Sequence, residues 1–174
     1  MRYLILIALI FTSSCGFQLR GSVTLPPALS EIAVKDGTTD IAPDLRYALE
    51  NAGVRVSNSA AMVLVVKAEK YDKRVLSVDS LGRALEYGLS YRVIFSLQGE
   101  NGVLWISDAS ITQSRDLRFE ATAVLGTASE EAQLKTEMRR DAISQILRQL
   151  QYAKEPVALP VKETGQPLMQ PEPQ

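Results

Sequence analysis

The feature that most restricts this chain is a sustained alternation from residue 85 to residue 98. Leu85, Tyr87, Leu89, Tyr91, Val93, Phe95 and Leu97 fall on one side, and Glu86, Ser90, Arg92, Ser96 and Gln98 on the other. Successive strand side chains point to opposite faces, so a period of two describes a long strand with one dry and one wet face. Such a strand needs neighbours in register and an apolar layer over its dry face. Upstream, Met62, Leu64, Val66 and Ala68 alternate in the same way, and the run continues irregularly toward Asp79. Ser80-Leu81-Gly82-Arg83-Ala84 reads as the turn between the two strands. Downstream, Gly99-Glu100-Asn101-Gly102 supplies a tight hairpin turn. Val103, Trp105, Ala109 and Ile111 then continue the dry face on a third long strand, which frays near Arg115.

The cover comes from a helix near the C-terminal end. Thr127-Ala128-Ser129-Glu130 fits a capping box, and Glu130 and Glu131 fall in a first turn, where the helix dipole favours acids. Leu134, Met138, Ala142, Ile146 and Leu150, joined by Ile143 and Leu147, make a broad apolar stripe. Lys135, Arg139, Arg140 and Arg148 lie mostly off it. A basic amphipathic helix can also bind a membrane surface. The unpartnered dry face of the sheet makes a core helix the better reading.

Before the strands, Glu31-Ile32-Ala33-Val34-Lys35 reads as a short strand broken by Asp36-Gly37. A helix follows over about Ile41 to Ala52, with Pro43 in its first turn, an apolar stripe of Ile41, Leu45, Ala48, Leu49 and Ala52, and Gly53 at its stop. With Val54-Arg55-Val56 these make a small β-α-β opening. The elements together predict an α+β domain over residues 31–152: a mixed, mostly antiparallel sheet of about four strands, with two helices packed on one face. No internal repeat is visible.

The flanks differ in character. Met1 to Phe11 carries one basic residue, Arg2, ahead of nine apolar residues, and Thr12-Ser13-Ser14 leads to Cys15. A basic start, a short apolar run and a small-residue exit describe a secretory signal over residues 1–14. The run is shorter than the roughly 20 residues needed to span a bilayer. Cys15 is the sole cysteine, so it has no intramolecular partner in an oxidising compartment. It reads as the first mature residue, carrying acyl groups that hold the chain to a membrane. Residues 15–30, with Thr24-Leu25-Pro26-Pro27, read as an extended tether. Residues 153–174 hold five prolines, Gly165 and several glutamines, and read as a disordered tail.

Composition narrows the function. The precursor carries 19 basic and 20 acidic residues, and removing Arg2 with the leader leaves 18 against 20. This balance gives no global attraction to nucleic acid, so any bound anion needs a local cluster. Histidine is absent, which removes the usual proton shuttle and the commonest metal ligand. With Cys15 committed to the anchor, neither a Ser/Cys–His nucleophile nor a His/Cys metal site can be assembled, and no phosphate-cradling glycine motif is present. The carboxylate pairs Asp36/Asp40 and Asp108/Asp116 are explained more simply as turn residues. The expectation is a non-enzyme without cofactor or metal. If the Gly99–Gly102 turn centres the second hairpin, Leu85 sits near Asp116 and Arg83 near Arg118. Arg83, Arg115 and Arg118, with Arg74 nearby, then gather at one sheet end, as a solvated rim or as an anion site.

Ser13-Ser14-Cys15 resembles the bacterial lipoprotein lipobox, with Thr12 in place of its usual branched aliphatic, and Gly16 after the cysteine implies sorting to the outer membrane. Cys15-Gly16-Phe17-Gln18-Leu19-Arg20-Gly21 resembles the mature start of the LptE family of lipopolysaccharide-assembly lipoproteins. The order of elements over about Glu31 to Gln151, the Ala84-Leu85-Glu86-Tyr87 strand start and the closing helix Leu134 to Leu150 are similar to that family as well. The resemblance implies a partner, the LptD β-barrel, inside which family members sit to form the lipopolysaccharide translocon. It also implies lipopolysaccharide binding on the periplasmic side of the outer membrane. The alternative is an accessory or structural lipoprotein facing the periplasm, with neither barrel partner nor lipid cargo. Replacing Cys15 by Ala should abolish acylation and release the chain from the outer-membrane fraction. A mutant of unchanged mature mass that still pellets with that membrane would exclude the anchor.

Overall fold

A computed structural model describes residues 25–37, 39–120 and 123–154. The leader, Cys15 and most of the tail lie outside the described residues. Five strands form one sheet: β1 (Glu31–Asp36), β2 (Arg55–Val56), β3 (Met62–Val78), β4 (Ala84–Gln98) and β5 (Leu104–Arg118). Their order is β2-β1-β3-β4-β5. β1 is parallel to both β2 and β3, whereas β3–β4 and β4–β5 are antiparallel. Two helices, α1 (Ala42–Asn51) and α2 (Val124–Gln151), complete the fold. The expected α+β architecture is present, with the two-residue β2 raising the strand number to five.

Burial follows the sequence periodicity through most of the core. Leu89, Tyr91, Val93, Phe95 and Leu97 of β4 are all buried, as are Met62, Leu64 and Val66 of β3. Met138, Ala142, Ile143, Ile146, Leu147 and Leu150 of α2 close over them, while Ile41, Leu45 and Leu49 pack from the α1 side. Burying each large aliphatic contributes about 1.5–3 kcal/mol, so the α2 stripe alone is a major part of the driving force. Leu25 and Leu29, within the stretch expected to be tether, also pack on the core, through a 3-10 turn over Pro27–Leu29.

Several expectations fail at strand irregularities. Lys67 is an extra residue in β3, because Val66 pairs with Phe95 and Ala68 with its immediate neighbour Ile94. The bulge reverses the faces beyond it, leaving Ala68 exposed and turning Glu69 and Tyr71 toward the helices. β5 carries two further insertions: Gln98, Leu97 and Phe95 pair in turn with Leu104, Ile106 and Ala109. Asp108, in the second, has φ +40°, a left-handed conformation that Asp tolerates better than most residues. The strand therefore does not fray at Arg115 but pairs through Arg118, burying Gln113 and Leu117. Val103 and Leu85, expected on the dry face, are exposed at strand ends. The anticipated capping box is also absent: α2 starts at Val124, and the Thr127 hydroxyl donates to the Ala123 carbonyl at 3.2 Å.

The bulge in β3 has a structural product. Glu69 accepts from the Tyr91 hydroxyl at 2.6 Å and, through its other oxygen, from the Ile41 backbone N–H at 2.9 Å. Arg139 of α2 lies 3.7 Å from the same carboxylate and reaches Asp44 of α1 at 3.6 Å. One side chain thus ties the start of α1, the middle of β4 and α2 together. Glu69→Ala leaves a buried hydroxyl and a helix-entry N–H without their acceptor and removes one of the carboxylates around Arg139. It should lower stability by about 3 kcal/mol, and Glu69→Gln by about 1–2 kcal/mol. Urea unfolding at unchanged m-value measures both, and a loss under about 0.5 kcal/mol for the alanine would refute the role.

Candidate functional site

The β3–β4 hairpin carries the most exposed aliphatic surface at one sheet end. Val75, Leu76, Val78, Leu81 and Leu85 are all exposed there. Leu76, an extra residue between the Val75–Tyr87 and Ser77–Glu86 pairs, lies across β4 above Gly88, whose missing Cβ makes room for it. The turn itself is held by Asp79. One carboxylate oxygen accepts from the backbone N–H groups of Leu81 and Arg83 at 2.8 and 2.9 Å, and the other accepts from Arg83 Nε at 2.7 Å. Gly82, with φ +77°, supplies the left-handed residue that this turn requires.

The arginines expected to gather do not share one place. Glu86, not Arg83, faces Arg118, and Gly88, not Leu85, faces Asp116, because the turn offset and the two β5 insertions shift the register by three positions. Arg83 stays in the turn, engaged with Asp79 but with its side chain 68% exposed. Arg118 lines a cleft of about 420 Å³ with Ser77, Leu85, Glu86, Phe119 and Glu120. Arg115 reaches Asp141 of α2 at 2.5 Å, which puts it on the helix-covered side. Arg74, opposite Gly88, is exposed. The hairpin end therefore combines free aliphatics with Arg83 and Arg118, while Arg115 is neutralised by its partner. Cys15 lies outside the described residues.

Other charges are committed to structure. Lys73 donates to Glu131 at 2.6 Å and Tyr71 donates to the same carboxylate at 2.9 Å. The Lys73 bond is the main reason the Glu131 carboxyl sits below its usual range. Burial, followed by the bond to Glu69, pushes the Tyr91 phenol well above its ordinary value. Among the proposed carboxylate pairs, Asp36 is bound by Arg46 and Asp108 by Lys67. No group of three or more potential metal ligands occurs among the described residues. The Glu69–Tyr91–Arg139 cluster was not legible in the sequence, since it depends on an extra residue at Lys67 that has no residue-type signature.

An open sheet covered on one face and ending in an aliphatic, arginine-bearing hairpin defines an α+β domain that presents surface. Residues 29–150 match the model of the family LptE, described as lipopolysaccharide-assembly. Lipoprotein B from Nitrosomonas europaea, solved in solution, is 30% identical with a TM-score of 0.68, over 78% of this chain and 90% of that one. The rare lipoprotein B of Shewanella oneidensis (22% identity, TM-score 0.62, 69% and 92% coverage) shares the fold. So does a minor lipoprotein of Acinetobacter baumannii (23% identity, TM-score 0.61, 72% and 93% coverage). No curated protein sequence matches. The chain belongs to the LptE family of lipopolysaccharide-assembly lipoproteins.

The Asp79 turn carries a pH dependence. Hydrogen bonds from the Arg83 backbone, then from its side chain, hold the Asp79 carboxyl below its usual 3.8. A depressed carboxyl stabilises the folded turn above its unfolded value, and that contribution is lost as pH falls through the lower folded value. Slow amide exchange at Leu81 and Arg83 should therefore persist as pH falls to the usual carboxylate value and be lost only at lower pH. In Asp79→Ala it should be fast at neutral pH, with the rest of the sheet unchanged. Protection in that variant would show that the carboxylate does not hold the turn.

Proposed function

We propose that this protein is an outer-membrane lipoprotein, acylated at Cys15 after removal of residues 1–14, that sits inside an LptD β-barrel and binds lipopolysaccharide. In this reading it plugs the barrel and acts without catalysis, as half of the translocon that delivers lipopolysaccharide to the cell surface. The observation that carries the reading is the hairpin end, where Val78, Leu81 and Leu85 stand exposed around Arg83 and Arg118. Lipopolysaccharide carries phosphates on a lipid-bearing sugar core, so its recognition needs guanidinium groups beside apolar surface. Family membership supports the same conclusion.

Arg115, paired with Asp141, contributes less to such a site than Arg83 and Arg118. Charge-assisted bonds contribute about 1.5–3 kcal/mol each when desolvated and far less on an open rim. The double change Arg83→Ala with Arg118→Ala should weaken lipopolysaccharide binding by roughly tenfold, about 1.4 kcal/mol. Binding of the unacylated chain at two salt concentrations measures it. Unchanged affinity with wild-type circular dichroism would remove the arginines from the site. Affinity purification in mild detergent tests the partner: stoichiometric recovery of a large β-barrel supports the translocon, and its absence favours an accessory lipoprotein.

A further inference from the structure

We propose that the end of the domain opposite the β3–β4 hairpin is a docking surface for anionic phospholipid headgroups. This inference rests on the acyl anchor of the reading above for its orientation, and it adds a second, non-covalent attachment. The topology fixes which end is which. β1 runs parallel to β3, with Ile32 beside Met62, so the described chain enters at the same sheet end where β3 begins and β4 finishes. β3 extends 17 residues from there, carrying the Arg83 turn about 55 Å away. The tether thus delivers the entry end, not the hairpin, to the membrane that holds the anchor.

That end has the composition of a membrane interface. Trp105 lies across Gly99, where its indole nitrogen stands 2.6 Å from the position a Cβ would occupy. It lines a shallow cleft of about 720 Å³ with Arg148, Tyr152 and Lys154 at the close of α2. Tyr152 is 77% exposed, and Val103 and Leu104 beside the turn are exposed as well. Arg148 and Lys154 form no ion pair among the described residues, in contrast to Arg115 and Arg139. Rings with one polar edge beside long cationic side chains match the headgroup layer, where apolar bodies sink and charges stay at phosphate level. Among the described residues the acids of this end lie mostly to the other side: Glu31 of β1 and Glu50 line a pocket with Arg55 of β2, about 14–19 Å across the sheet from β5. Glu100 in the turn is the exception among the described residues.

The sole tryptophan of the chain reports on this surface directly. The experiment uses the full mature chain with Cys15→Ser, free of acyl groups. It is mixed with vesicles of phosphatidylcholine alone, or of phosphatidylcholine and phosphatidylglycerol in equal parts. Co-sedimentation with the anionic vesicles only, weakened by salt, and a blue shift of Trp105 emission are expected. Each cation near an anionic surface strengthens attachment about fivefold, so Arg148→Gln with Lys154→Gln should weaken it about 25-fold. Arg92→Gln with Arg140→Gln, exposed midway along β4 and α2, should bind as the parent does. Equal binding to neutral vesicles, unmoved emission, or loss caused by the mid-domain pair instead would each overturn the proposal. No barrel protein enters this assay, so its failure leaves the translocon reading standing, and failure to capture a barrel leaves this surface standing.

Discussion

The Glu69 carboxylate is the point on which the layers of this domain converge. It is held at the boundary of the core, with its two oxygens serving different elements: the Tyr91 hydroxyl on the sheet and the Ile41 N–H at the entry to α1. Arg139 brings in α2 and extends the contact to Asp44. Apolar packing is non-directional, and a helix stripe laid on a sheet can slide by a turn at modest cost. A charged acceptor with fixed donors cannot slide, because every displacement leaves a buried polar group unmatched. The apolar stripes therefore supply most of the stabilisation, and this cluster supplies the alignment.

What the sequence reveals depends on whether an element announces itself by period. The α2 stripe from Leu134 to Leu150 and the β4 alternation were legible because each repeats over several turns or pairs, and burial in the structure follows both. Bulges have no comparable signal. Lys67, Leu76 and Asp108 look like ordinary strand or turn residues, yet each changes which residues meet across the sheet beyond it. The misplaced helix start has a different origin. Thr127 and Glu130 have the spacing of a cap, but Val124 and Leu125 ahead of them are helical, and the hydroxyl satisfies itself on the Ala123 carbonyl.

The same error explains why the candidate site was only partly readable. Arg83, Arg115 and Arg118 were grouped by a register counted from the turn alone. Three positions of drift carry Arg118 to Glu86, and the strand's alternation sends Arg115 to the helix side, where Asp141 takes it. The exposed aliphatics of the hairpin were not legible either: Leu85 continues the dry-face alternation, yet it stands exposed near the start of β4. Family membership, in turn, follows from residues 29–150 as a whole and needs no correct register.

The insertions at Lys67 and Asp108 flank β4 near the same level, and the two side chains pair across it. This makes the sheet sensitive to chain length in a way that it is not sensitive to residue type. Swapping Asp108 for another polar residue alters one turn of backbone. Deleting it would carry the frame shift through the remainder of β5, rotating Leu117 toward water and Arg118 toward the helices. Variation among homologous chains should therefore be substitutional along these strands, within the limits that burial sets, with gains and losses of residues confined to the connections between them.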